Sequence, residues 1–166
     1  AWVLAWGITG IGIPDCILQA LGETARPAAV QCITNLLDSP GELQYFPGPS
    51  RARELIAATK ASGSGVLGIR PVQGGALCDR LDRELPDGHG VVVDFAKSED
   101  FRTLAAELGT SAAALAHRYA LSMDDVDTVV LGCKNREELA ECVAGEAAGP
   151  LETEIIARID ASVPRS

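Results

Sequence analysis

Val126-Asp127-Thr128-Val129-Val130-Leu131-Gly132-Cys133-Lys134-Asn135-Arg136-Glu137-Glu138-Leu139 decides the architecture. Thr128 to Leu131 reads as a strand. Gly132-Cys133-Lys134 turns the chain. Asn135 then opens a helix with Glu138 three positions on, a capping-box spacing with Asn in place of Ser or Thr. Leu139, Cys142 and Val143 recur at helical spacing and are expected to point inward. The segment is a strand that feeds a helix through a tight turn.

Three similar units lie upstream. Val3 to Ile8 reads as a buried strand, followed by the turn Thr9-Gly10-Ile11-Gly12 and a helix from Pro14 with Ile13, Ile17, Ala20 and Leu21 on one face. Ala28 to Thr34 reads as the second strand. A loop through Asp38-Ser39-Pro40-Gly41 and Pro47-Gly48-Pro49 leads to a helix capped by Ser50 and ending near Ser62. Val66 to Ile69 is the third strand. A long loop follows Pro71, containing Gly74-Gly75 and Pro86-Asp87-Gly88-His89-Gly90, with Val91-Val92-Val93 read as part of it. Such length is more typical of a functional connection than a structural one. Ser98 and Thr110 or Ser111 open two further helices, the second with Ala112, Leu115, Ala116, Tyr119 and Ala120 as its apolar stripe. A last helix carries Leu151, Ile155, Ile156 and Ile159. Four strand–helix units imply an α/β fold of about four parallel strands with right-handed crossovers. Either a small open sheet or half of a closed barrel satisfies that pattern.

Composition narrows the function classes. A net charge of −9 argues against nucleic-acid and anionic-membrane partners, which need a basic face. It leaves room for a phosphate ligand, because a helix N-terminus and one or two cations suffice locally. The five cysteines are odd in number and form no C-x-x-C pair. That argues against a disulfide framework or a zinc site and suits reduced thiols in the cytoplasm. No apolar run reaches membrane-spanning length. The start at Ala1-Trp2-Val3, without methionine and directly in a strand-like run, suits a truncated chain.

Several residues are candidates for chemistry. Gly7-Ile8-Thr9-Gly10-Ile11-Gly12 has the order G-x-x-G-x-G, not the dinucleotide fingerprint G-x-G-x-x-G, so a tight turn is the favoured reading. Gly132-Cys133-Lys134-Asn135-Arg136 joins a strand to a helix start, where free N–H groups and two cations favour an anion. A capped helix with solvated charges explains it equally well. Gln31 lies in an otherwise apolar strand, and Asn35 lies at its end. Each needs a partner if buried, either a ligand or a neighbouring backbone group, and the backbone reading is favoured. His117 reads as structural or surface, His89 as solvated, Tyr119 as core, and Tyr45 as a loop residue. No catalytic triad, paired-carboxylate motif or metal-ligand spacing stands out.

Taken together, four landmarks resemble the second half of the aldo-keto reductase family. They are Trp6-Gly7-Ile8-Thr9-Gly10, Val30-Gln31-Cys32-Ile33-Thr34-Asn35-Leu36-Leu37, Val66-Leu67-Gly68-Ile69-Arg70-Pro71-Val72-Gln73-Gly74-Gly75-Ala76-Leu77, and Leu115 to Ser122 followed by Val126 to Gly132. They look like that family's fifth to eighth strands. The resemblance implies that residues 1–166 form a partial, half barrel of (β/α)8 TIM-barrel type. The parent would be an oxidoreductase that reduces small aldehydes or ketones by hydride transfer from NADPH or NADH. By position, Thr9, Gly10 and Gln31 would face the nicotinamide carboxamide. Ile69 and Arg70 would lie at the end of the seventh strand, Ile69 where an aromatic often stacks on the nicotinamide. Gly132, Cys133, Lys134, Asn135 and Arg136 would lie around the adenosine phosphate.

The same resemblance carries departures. Gly10 lacks the side chain of the family's Asn, so its contact is lost or made by backbone. Glu138 falls where NADP-preferring members carry arginine, leaving NADP or NAD open. The family's catalytic Asp, Tyr, Lys and His come from the first four strands, so no catalytic residue is assigned here and the chain alone is expected to be inactive. The alternative is a non-catalytic half-barrel module that binds a dinucleotide or a protein partner. Open strand edges predict self-association or pairing with a complementary N-terminal half.

Overall fold

The structure, a computed structural model, describes residues 2–163; Ala1 and residues 164–166 lie outside it. Four strands, β1 (Gly7–Thr9), β2 (Ala29–Ile33), β3 (Gly65–Ile69) and β4 (Thr128–Val129), form one parallel sheet in chain order. Helices α1 (Pro14–Gly22) and α2 (Ala52–Ala61) link the first three strands. Between β3 and β4 lie α3 (Gly90–Lys97), α4 (Glu99–Glu107) and α5 (Ala112–Leu121). Helices α6 (Arg136–Ala147) and α7 (Thr153–Ala161) follow β4.

Strand alternation sorts the sheet into two faces. Val30, Cys32 and Val66 pack with Leu21 and Ile56 on the face toward α1 and α2. Thr9, Gln31, Leu67 and Thr128 stand in register across the opposite face, where Gln31 and Leu67 are only half-buried and Thr9 and Thr128 are exposed. Among the described residues, no strand pairs with the outer edge of β1 or of β4. A second core lies among α4, α5 and α7, built on Phe101, Leu104, Leu115, Tyr119 and Ile159. It also takes in Leu36, Leu37 and Leu77 from the loops after β2 and β3, which anchors those loops to the helices.

Five local expectations change. The run from Val3 does not form a buried strand. Pairing begins only at Gly7, and Trp2, Val3, Leu4 and Trp6 are exposed because no described element covers them. Ser50 does not cap α2; its hydroxyl donates to the Asp38 carbonyl at 2.5 Å, and the left-handed Arg51 precedes the helix instead. Val91 to Val93 belong to α3, with Val91 fully buried. His89 caps that helix, its Nδ1 accepting from the Val91 amide at 3.2 Å, and is not simply solvated. In α6, Leu139 and Val143 are 53% and 58% exposed, and only Cys142 and Gly145 are buried.

Candidate functional site

The β1–β2 end of the sheet brings Thr9, Gly10 and Gln31 together. The Thr9 hydroxyl donates to Gln31 Oε1 at 2.8 Å. The Gly10 amide donates to the Gln31 carbonyl at 2.7 Å. A Cβ on Gly10 would sit 2.8 Å from that carbonyl oxygen and 3.2 Å from Val30 Cγ1, so this close approach requires glycine. The Gly10 amide is therefore already engaged within the sheet. Gln31 Nε2 has no protein partner among the described residues, which leaves one amide donor on the open face.

At the end of β3, Ile69 is half-buried and its carbonyl accepts from the Thr34 amide at 3.0 Å. Arg70 follows in the left-handed region, φ 59°. Its Nε donates to Gln73 Oε1 at 2.8 Å, and its Nη2 lies 3.1 Å from both Glu42 carboxylate oxygens. That guanidinium is committed to the loop. Asn35 is buried at the end of β2 with all its polar capacity used locally. Nδ2 donates to the carbonyls of Ser39 and Arg70, and Oδ1 accepts from the amides of Leu37 and Ser39.

The loop after β3 and the β4–α6 turn enclose a cavity of about 770 Å3. One wall carries Gly74, Gly75, Arg80, Asp82 and Arg83; the other carries Gly132, Lys134, Glu138, Glu141 and Cys142, with His117 of α5 and Ser111, which caps that helix, behind. Lys134 Nζ lies 2.6 Å from Asp82 and 3.4 Å from Glu138. The Asp82 contact raises the lysine pKa, and the ammonium in turn lowers that of Asp82. The Lys134 amide donates to Glu138 Oε2 at 2.8 Å and holds that carboxyl below its ordinary range. Asn135 caps α6, accepting from the Glu138 amide at 2.8 Å. Arg83 lies 3.1 Å from Asp82 and donates to the Gly74 carbonyl at 2.9 Å. Arg80 is exposed and carries no ion pair among the described residues.

Of the expected phosphate-side residues, Gly132 and Lys134 line the cavity, while Cys133, Asn135 and Arg136 flank it on the exposed turn. Thr9, Gly10, Gln31, Ile69 and Arg70 lie outside it. Arg80 and Arg83 were not singled out in the sequence. Their signal was two arginines three apart in a loop already long enough to suggest a function. A separate cavity of about 700 Å3, beside Asp38, Arg53 and Asp94, contains none of the expected residues. Arg53 there is paired with Asp38 at 2.9 Å.

Three of the four histidines and tyrosines are held by contacts within the protein: Tyr119, His117 and, as the cap of α3, His89. Tyr119 is buried, accepts from Arg53 Nη2 at 2.8 Å and donates to Asp160. Tyr45 is exposed on its loop. His117 is buried, with Nδ1 3.4 Å from Cys142 Sγ. Burial lowers its pKa below the ordinary 6.5, against an opposing pull from Glu141 and Glu138. The folded state thus binds this proton less readily than the unfolded state. Stability falls as pH drops below the unfolded value, about 6.5, toward the lower folded value. His117→Asn is expected to flatten the fall in melting temperature between about pH 7 and pH 5.5. An unchanged slope would place that pH dependence elsewhere.

Residues 2–164 match a family described as the Aldo/keto reductase family. Two solved structures, the holo and apo forms of aldo-keto reductase AKR11C1 from Bacillus halodurans, are 24% and 23% identical to the chain. Each superposes on 98% of this chain with a TM-score of 0.68. The chain covers 51% and 52% of those structures, so it spans about half their length. That likeness identifies the four parallel strands as those of a partial (β/α)8 barrel. No curated protein matches the chain.

Proposed function

Because this chain belongs to the aldo/keto reductase family, we propose that it is the dinucleotide-holding half of an NAD(P)H-dependent carbonyl oxidoreductase. The cavity between the β3 loop and the β4–α6 turn carries this reading. Its volume, about 770 Å3, falls within the range of small-ligand sites. The residues present fit the phosphate side of such a cofactor: Arg80 is an unpaired cation, and Gly75 and Gly132 have open space where a Cβ would project. Gln31 Nε2 is the donor available to a carboxamide. Ile69 offers apolar contact only. When bound, a reduced nicotinamide supplies hydride to the carbonyl carbon of a small aldehyde or ketone.

Charge sets the expected cofactor preference. Glu138 holds the turn through the Lys134 amide, and Lys134 is shared between Glu138 and Asp82. A 2′-phosphate at this turn would meet a carboxylate and a lysine already neutralised. We therefore expect NADH to bind more tightly than NADPH, by about tenfold, equivalent to ~1.4 kcal/mol. Fluorescence titration of the purified chain tests both parts. Arg80→Ala is expected to weaken NADH binding by about tenfold, the scale of one charge-assisted hydrogen bond. Lys134→Ala should weaken it less, because its charge is already paired. No saturable binding by the folded chain would overturn the reading.

A second reading has its own support. Among the described residues, Tyr119, His117 and His89 are each engaged in contacts within the protein. A non-catalytic half-barrel that holds a dinucleotide would look the same and would bind without turnover.

A further inference from the structure

The β4–α6 turn and α6 bring two thiols within contact distance. Cys133 Sγ lies 3.8 Å from Cys142 Sγ. Cys133 is exposed on the turn, whereas Cys142 is 5% exposed on the inner side of α6, where it lines the cavity. No other pair of cysteine sulfurs is in contact among the described residues. The separation is about 1.8 Å longer than a sulfur–sulfur bond. Gly132, next to Cys133, has no atom within 4 Å of where a Cβ would lie, so the turn has room to close. The buried His117 has its Nδ1 3.4 Å from Cys142 Sγ.

We propose that Cys133 and Cys142 are a reversible thiol–disulfide pair, oxidised by a peroxide, that controls access to the cavity. The surface thiol reacts first. Cys133 as thiolate attacks one peroxide oxygen of hydrogen peroxide, the O–O bond breaks, and Cys133 sulfenic acid and water result once the leaving hydroxide is protonated. Cys142 sulfur then attacks the Cys133 sulfur. Its proton passes to the lone pair of neutral His117 Nδ1, the S–O bond breaks, and the hydroxide leaves as water with that proton. In sum, two thiols and one peroxide give one disulfide and two waters. Each sulfur is oxidised by one electron, and the two peroxide oxygens are reduced. A dithiol reverses the bond by exchange.

Cys142 alone is a poor nucleophile, since burial pushes its pKa up to about 11. Exposed Cys133 is therefore the entry point. Closing the bond draws the turn against α6, and Lys134 moves with it. The hydrogen bond from the Lys134 amide to Glu138 and the Lys134–Asp82 pair both lie on the segment that moves. The cavity wall is thereby rebuilt. This effect on a dinucleotide rests on the function proposed above; the bond itself does not.

Peroxide treatment of the purified chain, followed by trypsin digestion without reductant, tests the pair. Cleavage after Lys134 and Arg136 separates the two cysteines into peptides 119–134 and 137–158, each with one cysteine. The expected product is these peptides cross-linked, lighter by two hydrogen atoms, and released by dithiothreitol. Cys133→Ser and Cys142→Ser should each abolish it, and Cys78→Ser should leave it intact. Cys133→Ser sits on the surface, so its folding is not at issue. Sulfinic or sulfonic Cys133 with no cross-link, or a link through Cys78, would overturn the proposal. NADH titration then reads the gating step, with binding expected to be about tenfold weaker in the oxidised chain. A disulfide with equal NADH affinity in both forms would remove the gate. A disulfide in a chain that binds no dinucleotide in either form would sink the cofactor reading and leave the thiol pair standing.

Discussion

Asn35→Ala is expected to destabilise the chain by about 3 kcal/mol or more, through loss of four hydrogen bonds at a buried site. Asn35 is 0% exposed. Its Nδ2 donates to the Ser39 carbonyl at 2.9 Å and the Arg70 carbonyl at 3.2 Å, while Oδ1 accepts from the amides of Leu37 at 3.2 Å and Ser39 at 3.1 Å. Alanine removes every partner at once and leaves the backbone groups behind. Each unsatisfied buried group costs about 1 kcal/mol or more. The bond to Arg70 ties the end of β2 to the end of β3, so the damage extends to the loop that begins one cavity wall. Asn35→Asp keeps the two accepting contacts but turns a carboxylate toward two carbonyl oxygens, and it should not restore stability. Urea denaturation at neutral pH measures the loss. A change below about 0.5 kcal/mol would class the site with ordinary surface substitutions and discard this account.

Asn35 also shows where the sequence was informative. A polar side chain at the end of an apolar strand must find partners, and the sequence favoured backbone over a ligand without showing which backbone groups. Only the returning loop, which brings Ser39 back over the strand end, identifies them. The four parallel strands were legible because apolar runs alternated with capped, helix-spaced segments. The edges were less legible. Val3 and Leu4 have the composition of a buried strand, but burial needs a covering layer, and composition does not say whether one is present. Leu139 and Val143 recur at helical spacing with Cys142, yet α6 meets the body of the protein through a narrow strip containing Cys142 and Gly145. Val91 to Val93 misled for the opposite reason. Three β-branched residues do not announce a helix, and the cap that starts α3 is a histidine, outside the usual set of Ser, Thr, Asp and Asn.

The candidate site divides in the same way. Gly132, Lys134 and Asn135 were readable because turn, cation and cap are adjacent in sequence. The facing wall was not, since Arg80 and Arg83 reach the cavity only through the path of the β3 loop. Nor does sequence order report that Lys134 is paired with Asp82, fifty-two residues away. That pairing changes the expected ranking of the cations: the unpaired Arg80 should matter more than the lysine in the recognisable motif.

The largest functional effect expected concerns turnover. With NADH and a small aldehyde, the chain alone should reduce carbonyl no faster than a buffer blank. Addition of a first-half barrel chain from the same family should raise the rate by at least about a hundredfold, the lower end of what a positioned acid contributes. The argument starts from proton supply. Hydride transfer to a carbonyl leaves an alkoxide that must be protonated. Here Tyr119 is buried between Arg53 and Asp160, and its pKa is raised mainly by burial. His117 faces Cys142, and His89 caps α3. Each of the three is committed to a partner within the protein. Among the described residues, the outer edges of β1 and β4 are unpaired and leave room for further strands to dock. Two edges in one parallel sheet also allow a second copy to close the barrel, so sedimentation should accompany the rate measurement. Association without turnover would favour the binding module. Turnover by the chain alone would show that a proton donor exists within these residues. A monomer that persists on dilution and gains nothing from a first half would end the half-barrel account.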